Sequence, residues 1–214
     1  MQETQYSASP TLWKTLKKAI AAGMVIGVGA TVYLVSENKI IGAVLFSIGL
    51  FLICSFGMNL FTGKIGYVIG TKNKPNCPVI WGGNLIGCLI TSGLVRIAKP
   101  TLHETAAAMV EKKLAQNYLS VVILAFFCGI LTYAAVENFR LHADSISGIV
   151  GIFMSVTVFI LCGFEHSIAD MCYCIFAVVT VRQALRSLLF LLVVSVFNGL
   201  GALALRWLTK SEAS

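Results

Sequence analysis

Long apolar runs separated by short polar connections dominate the sequence from residue 19 onward. A helix needs about 20 predominantly apolar residues to cross a membrane. Four of the runs are close to this length, and we predict one transmembrane helix in each: residues 19–36, 79–95, 114–136 and 187–205. The long polar connection between the second and third of these suggests an amphipathic surface helix around residues 106–110.

Two further runs, residues 40–71 and 145–181, are too long for one straight crossing. A polar cluster interrupts each of them, at residues 59–64 in the first and at residues 165–170 in the second. Non-helical backbone at membrane depth is tolerated only where protein buries it or where it lines a cavity. We therefore predict an all-α membrane protein with six transmembrane helices, of which the second and the fifth are broken.

The two halves of the predicted helical domain, about 19–97 and 114–206, repeat one pattern. Each half has a single span, then a broken span, then a span with a glycine/asparagine motif. These motifs are Gly-Asn-Leu-Ile-Gly at 83–87 and Asn-Gly-Leu-Gly at 198–201. Because each half contains an odd number of spans, the halves must be inverted relative to each other. Interrupted segments at corresponding positions of an inverted repeat indicate a substrate pathway.

An even number of spans puts both termini on one side of the membrane. Residues 1–18 and 207–214 are then short terminal segments, and residues 19–206 form the six-helix channel domain. Of the 16 lysines and arginines, nine fall on the side of the termini. This small excess favours cytoplasmic termini, in the cell (inner) membrane, because basic residues accumulate in cytoplasmic segments.

The composition supports a multi-pass membrane protein with one domain. Of the 214 residues, 57% are hydrophobic and 12% are charged, and the mean hydropathy is +0.87. The basic residues behind the net charge of +7 flank the apolar runs, which suits contact with the lipid bilayer. They form no basic patch interleaved with aromatic side chains, so we predict no binding to nucleic acid.

Three ionisable side chains, Glu165, His166 and Asp170, lie at the predicted membrane depth. Each such charge costs about 2.5–3.5 kcal/mol on insertion scales, which makes these residues candidates for a functional site. The unperturbed pKa of an imidazole, about 6.5, suits His166 to proton donation or relay, although a purely structural histidine is the alternative. For Glu165 we expect a structural role, in which the carboxylate accepts from free N–H groups at the helix break. We likewise expect Asn84 and Asn198 to hold the backbone at the breaks.

The seven cysteines suggest an alternative function, a membrane-embedded thiol redox protein that uses His166 with Cys162, Cys172 or Cys174. No C-x-x-C motif, zinc-ligand spacing or cofactor motif accompanies them. We therefore predict no metal site, no cofactor and no enzymatic activity. A membrane scaffold without transport activity is a third hypothesis, and buried ionisable residues argue against it because they destabilise such a protein needlessly.

Residues 163–171, Gly-Phe-Glu-His-Ser-Ile-Ala-Asp-Met, closely resemble the signature of the formate/nitrite transporter family, G-F-E-H-S-x-A-N-M. Residues 59–63 and 83–87 are similar to that family's loop in the second helix and its third-helix motif, and the similarity spans roughly residues 14–206. The resemblance implies an aquaporin-like six-helix protomer, a homopentamer with one pore per protomer, and conduction of small monovalent anions such as formate, nitrite or hydrosulfide. It also implies that protons are partners, in a pH-dependent channel or a proton-coupled transporter.

The resemblance also implies residue roles. His166 matches the central pore histidine and Thr62 matches its threonine partner on the broken-helix loop. The cytoplasmic apolar constriction matches Leu50, Leu60 and Phe61, and the outer one matches Phe46 and Phe159. Support at the pore centre is expected from Glu165, Asp170, Asn59, Asn84 and Asn198.

Three features depart from the family pattern. Asp170 stands where the signature has asparagine, and the asparagine expected in the fourth helix falls near Thr132 or Tyr133. The vestibule lysine has no clean counterpart, with Lys112 and Lys113 nearest. We expect Lys18 and Lys113 to attract anions to the two mouths of the pore.

Overall fold

A computed structural model describes residues 11–209, which form helices joined by short connections and contain no strand. The predicted terminal segments, 1–18 and 207–214, lie partly outside these residues. The helices are α1 Leu12–Val35, α2 Lys39–Phe46, α3 Ile48–Ser55, α4 Phe61–Lys64, α5 Cys77–Ala98, α6 Leu102–Leu114, α7 Tyr118–Leu141, α8 Ile146–Leu161, α9 Ser167–Ala177 and α10 Val181–Thr209, with a 3-10 turn at Ile65–Val68 after α4.

Four helices, α1, α5, α7 and α10, are long and apolar enough to cross a membrane. The other apolar helices are shorter and cover Lys39–Ser55, Ile146–Leu161 and Ser167–Ala177. These are the two regions that the sequence predicts as broken spans. The predicted single spans lie within the four long helices, except that α1 ends at Val35, one residue before the predicted end, and that α7 begins at Tyr118 and not at residue 114.

Capping side chains determine where several helices begin. Thr11 accepts from the Lys14 N–H at 3.4 Å, which starts α1 seven residues before the apolar run. Asn76 and Asn117 accept in the same way at the starts of α5 and α7. An asparagine or threonine at this position satisfies N–H groups that have no partner within the helix. The helices therefore start at caps and include charged residues beyond the apolar runs.

Two helix pairs cross at glycines with their backbones in contact. A Cβ on Gly87 of α5 would lie 2.1 Å from the Ile20 carbonyl oxygen of α1. A Cβ on Gly201 of α10 would lie 1.9 Å from the Phe126 carbonyl oxygen of α7. Small residues permit such close approach between membrane helices. The α1–α5 and α7–α10 pairs thus form two similar supports, one in each half of the chain.

Helix α9 is the most enclosed element, and every one of its residues except Ile175 is buried. It packs against α1, α5, α6 and α10. The amphipathic helix α6 contributes Leu102, Ala106 and Val110 to this packing, as its apolar spacing predicts. At the far end of α9, Arg96 donates to the Val178 carbonyl at 2.6 Å and so satisfies a free carbonyl group. The ionisable residues at the start of α9, His166 and Asp170, are therefore enclosed by the neighbouring helices.

Candidate functional site

The two interruptions have the same backbone construction. Gly57 follows α3 with φ +58° and Gly163 follows α8 with φ +66°, a left-handed conformation that favours glycine. Beyond each glycine, an N–H donates back across the turn at 2.9 Å, from Met58 to Ile53 and from Phe164 to Phe159. This is the Schellman arrangement that ends helices. The glycines therefore stop both helices just before the polar clusters of the predicted broken spans.

One asparagine side chain holds the backbone just after each interruption. The Asn84 side-chain oxygen accepts from the Phe61 N–H at 2.8 Å, and its amide donates to the carbonyls of Asn59 and Ala19. Asn198 repeats this pattern with the Ser167 N–H at 2.9 Å and with the carbonyls of Glu165 and Ala125. Each carboxamide thus satisfies the first N–H of a new helix. Each asparagine side chain therefore contacts the backbone on both sides of a break and on a neighbouring long helix.

Between the interruptions, His166 contacts Thr62. The His166 Nε2 and Thr62 Oγ1 atoms are 2.8 Å apart, and both side chains are buried. The other ring nitrogen, Nδ1, accepts from the Ala169 N–H at 3.1 Å and caps α9. Because a nitrogen that accepts carries no proton, the proton of the neutral ring is on Nε2. His166 therefore donates to Thr62, and its Nε2–H is the polar group that it presents at this centre.

Apolar side chains surround this pair. The Phe159 ring stacks on His166 with centroids 5.4 Å apart, and Phe46 meets Phe159 edge-on at 6.4 Å. Leu50, Leu60 and Phe61 are also buried in the same hydrophobic core. Of the five residues predicted to form constrictions, Phe159 contacts His166 directly and Phe46 contacts Phe159. Leu50 and Phe61 line neither of the two cavities described next.

Two cavities approach the centre. The histidine cavity, about 370 Å³, is lined by His166, Phe46, Phe159 and residues of α6 and α9. The lysine-rich cavity, about 600 Å³, is lined by Leu60, Gly63 and three lysines, Lys64, Lys72 and Lys74. Gln116, just before α7, borders the first cavity, whereas Arg140, at the end of α7, borders the second. The 24 residues of α7 span about 36 Å, so the cavities lie at opposite ends of this helix.

The contacts of Glu165 correct the role that we expected for it. Its carboxylate accepts from the Lys113 ammonium and from the Gln116 amide, the latter at 2.6 Å, and not from backbone N–H groups. Asn198 makes the backbone contact at this break instead. The correction has a physical reason, since the Ser167 N–H needs one acceptor and the asparagine amide also satisfies two carbonyl groups. Gln116 was not singled out in the sequence, because only the packing of α6 on α9 brings it near.

Lys113 connects two carboxylates in the histidine cavity. Besides Glu165, its ammonium contacts Asp170 Oδ1 at 3.0 Å, and the Lys113 side chain is only 16% exposed. The second oxygen, Asp170 Oδ2, is buried and has no hydrogen-bond partner within residues 11–209. Lys113 therefore lies inside the cavity. Its neighbour Lys112 also lines this cavity but is exposed. Lys18 is also exposed and lines neither cavity; its carbonyl oxygen accepts from the Asn59 N–H at 3.2 Å.

The sequence profile described as "Formate/nitrite transporter" matches residues 1–211. The chain belongs to the formate/nitrite transporter family. It is accordingly a multi-pass membrane transport protein and not an enzyme. The buried His166, Glu165 and Asp170 thus belong to a family member that moves solutes across membranes.

Relatives and solved structures in this family agree with the fold. The formate channel FocA of Escherichia coli K12 is 25% identical over 193 residues, which cover 78% of this chain and 67% of FocA. An uncharacterised transporter, YrhG of Bacillus subtilis 168, is 30% identical over 152 residues, 64% of this chain and 56% of YrhG. A pentameric formate channel with formate bound superposes with a TM-score of 0.76 at 23% identity, covering 92% of this chain and 94% of that one.

Membership of the formate/nitrite transporter family leaves the thiol redox alternative without support. Cys162, Cys172 and Cys174 line neither cavity. Cys172 donates weakly to the Ile168 carbonyl at 3.5 Å, and Cys162 is exposed. Within the part of the chain that the structure describes, no group of three or more His, Cys, Asp or Glu side chains could hold a metal ion.

Proposed function

We propose that this protein is a channel or proton-coupled transporter for small monovalent weak-acid anions, with formate, nitrite and hydrosulfide as candidates. The observation that carries the proposal is the buried His166–Thr62 hydrogen bond, with one cavity approaching it from each end of α7. A pathway through the protomer needs a polar contact at its centre and an approach from each side. The His166–Thr62 pair supplies the polar contact, and the two cavities supply the approaches.

The proposal includes six crossings of the membrane, with Lys39–Ser55 and α4 in one broken span and α8 and α9 in the other. The matched glycine turns and matched asparagine contacts support an inverted repeat of the two halves. We further propose cytoplasmic termini, the cell (inner) membrane and a homopentamer. The similarity in fold to a formate channel that is itself pentameric supports the homopentamer.

Transport would proceed by reducing the charge of the solute at the centre. A bare anion is poorly stabilised among Phe46, Phe159 and Leu60, whereas the neutral acid loses much less on leaving water. The His166 Nε2–H and the Thr62 hydroxyl can donate to an oxygen or sulfur of the solute. The anion takes a proton from hydronium in the cavity it enters, which leaves water, and it crosses as the neutral acid. It returns the proton to water in the other cavity, so that each anion crosses with one proton. His166 then orients the solute through a hydrogen bond, while its Nδ1 continues to accept the hydrogen bond from the Ala169 N–H.

A flux measurement tests the function. Purified protein in liposomes would be assayed with formate, nitrite, hydrosulfide, acetate and lactate over about pH 5–8, the range in which an imidazole titrates. We expect flux of at least one of the small anions, with a dependence on pH. If a folded, pentameric preparation moved none of the five anions, the proposed function would be wrong.

A further inference from the structure

The lysine-rich cavity has basic side chains and no acidic ones. Four of its lining residues are basic, namely Lys64, Lys72, Lys74 and Arg140, and none is aspartate or glutamate. Arg140 is already paired, because its Nε and Nη2 atoms each donate to Glu137 at 2.8 Å. Among residues 11–209, no salt bridge involves any of the three lysines. Three ammonium groups without a carboxylate therefore border the approach to Leu60.

Lys64 is the innermost of the three lysines. It is half-buried, whereas Lys72 and Lys74 are exposed. It ends α4, the single turn that also carries Thr62, and it follows Gly63, which lines the same cavity. A partly desolvated ammonium gains more from an anionic partner than an exposed one does. Lys64 is thus the partly desolvated ammonium of this cavity, and it lies on the same helical turn as Thr62.

The corresponding position of the other break carries the opposite charge. Lys64 is the fourth residue of α4, and Asp170 is the fourth residue of α9. Asp170 is held by Lys113, which also contacts Glu165. Because Lys112 also lines the histidine cavity, that cavity has two carboxylates and two ammonium groups. The lysine-rich cavity has no carboxylate on its lining, so its positive charge is not offset there and it attracts an anion more strongly.

We propose that Lys64 forms an anion-binding site in the lysine-rich cavity, which holds one small monovalent anion before it passes Leu60 toward Thr62 and His166. This inference rests on the proposed function and specifies the side on which the anion is held. Lys72 and Lys74 raise the local anion concentration at the mouth through their field. The Lys64 ammonium, with three N–H donors, makes the direct contact.

The test uses sodium formate and the full-length protein in vesicles of known orientation. Half-saturating formate is measured from each face in turn, at low ionic strength, for wild type, Lys64→Met, Lys64→Arg and the control Lys17→Met. Lys17 is exposed and lines neither cavity. For Lys64→Met we expect an increase of about tenfold from the face of the lysine-rich cavity only, typical of a lost charged contact. Lys64→Arg and Lys17→Met should stay close to wild type.

Several outcomes would overturn the site while leaving the function intact. If wild type moves formate and Lys64→Met has unchanged half-saturation from both faces, Lys64 holds no anion. The same conclusion follows if Lys64→Arg fails as badly as Lys64→Met, because the positive charge would then be irrelevant. If Lys64→Met does not fold, the salt dependence of the wild-type protein decides the question. If an ammonium binds the anion, half-saturating formate from the face of the lysine-rich cavity should rise as the salt concentration rises. Salt-independent half-saturation would exclude the site, whereas absence of any anion flux in wild type would refute the proposed function itself.

Discussion

Replacing Asn198 with alanine tests whether one side chain holds the second break together. Its carboxamide is fully buried and makes three hydrogen bonds, at 2.9 Å from the Ser167 N–H and at 2.7 and 2.8 Å to the carbonyls of Ala125 and Glu165. Each such bond contributes about 0.5–1.5 kcal/mol net, so the loss of all three should destabilise the protein by roughly 1.5–4.5 kcal/mol. For a protein of this size, that corresponds to a decrease in Tm of about 3–18 °C.

Thermal unfolding of the purified protein in detergent measures this effect. Asn138→Ala is the matched control, because Asn138 makes one side-chain hydrogen bond, to the Ser147 carbonyl at 2.9 Å near the surface. We expect Asn84→Ala to cost about as much as Asn198→Ala, since Asn84 makes the same three contacts at the first break. A Tm for Asn198→Ala equal to that of the Asn138 control would refute the reasoning. A large difference between Asn84→Ala and Asn198→Ala would argue against equivalent breaks.

Two further predictions concern Asp170 and the helix crossings. Asp170→Asn removes a carboxylate from the histidine cavity, and because a carboxylate there repels anions, half-saturating formate from the face of that cavity should decrease at low ionic strength. An unchanged half-saturation would show that Asp170 does not act on the anion. Gly201→Ala places a methyl group 1.9 Å from the Phe126 carbonyl oxygen and should prevent normal folding, whereas Gly82→Ala, with nothing within 4 Å of the new Cβ, should be tolerated. Size-exclusion chromatography compares the two glycine variants, and equal yields of folded protein would contradict the close crossing.

The apolar pattern predicted much of the fold because membrane helices must be apolar over a known length. The predicted single spans fall within α5 and α10 and largely within α1 and α7. The polar clusters at residues 59–64 and 165–170 follow the ends of α3 and α8. The exact ends of the helices were less predictable, because they depend on Gly57, Gly163 and the caps. These residues act through local backbone geometry, which the hydrophobic pattern does not record.

The site was predictable only in part. Family resemblance identified His166 and Thr62, and the structure brings them into contact. The partners of Glu165 were not predictable, because Lys113 and Gln116 are distant in sequence and reach it only when α6 packs on α9. The hydrogen bond from the Tyr67 hydroxyl to Glu137, beside the lysine-rich cavity, was not predictable for the same reason. Long-range polar contacts depend on tertiary packing, for which single-sequence patterns carry little information.

Formate flux through wild type, Thr62→Ser, Thr62→Val and His166→Asn, measured in liposomes across about pH 5–8, tests the central claim most directly. We predict that Thr62→Ser, which keeps the hydroxyl, retains most of the wild-type flux. Thr62→Val and His166→Asn should lose about tenfold or more, or change the pH profile. Thr62→Val removes the hydroxyl donor, and His166→Asn replaces the imidazole by a shorter carboxamide that cannot titrate. Wild-type rates and an unchanged pH profile in both Thr62→Val and His166→Asn would contradict a pathway that passes between these two side chains.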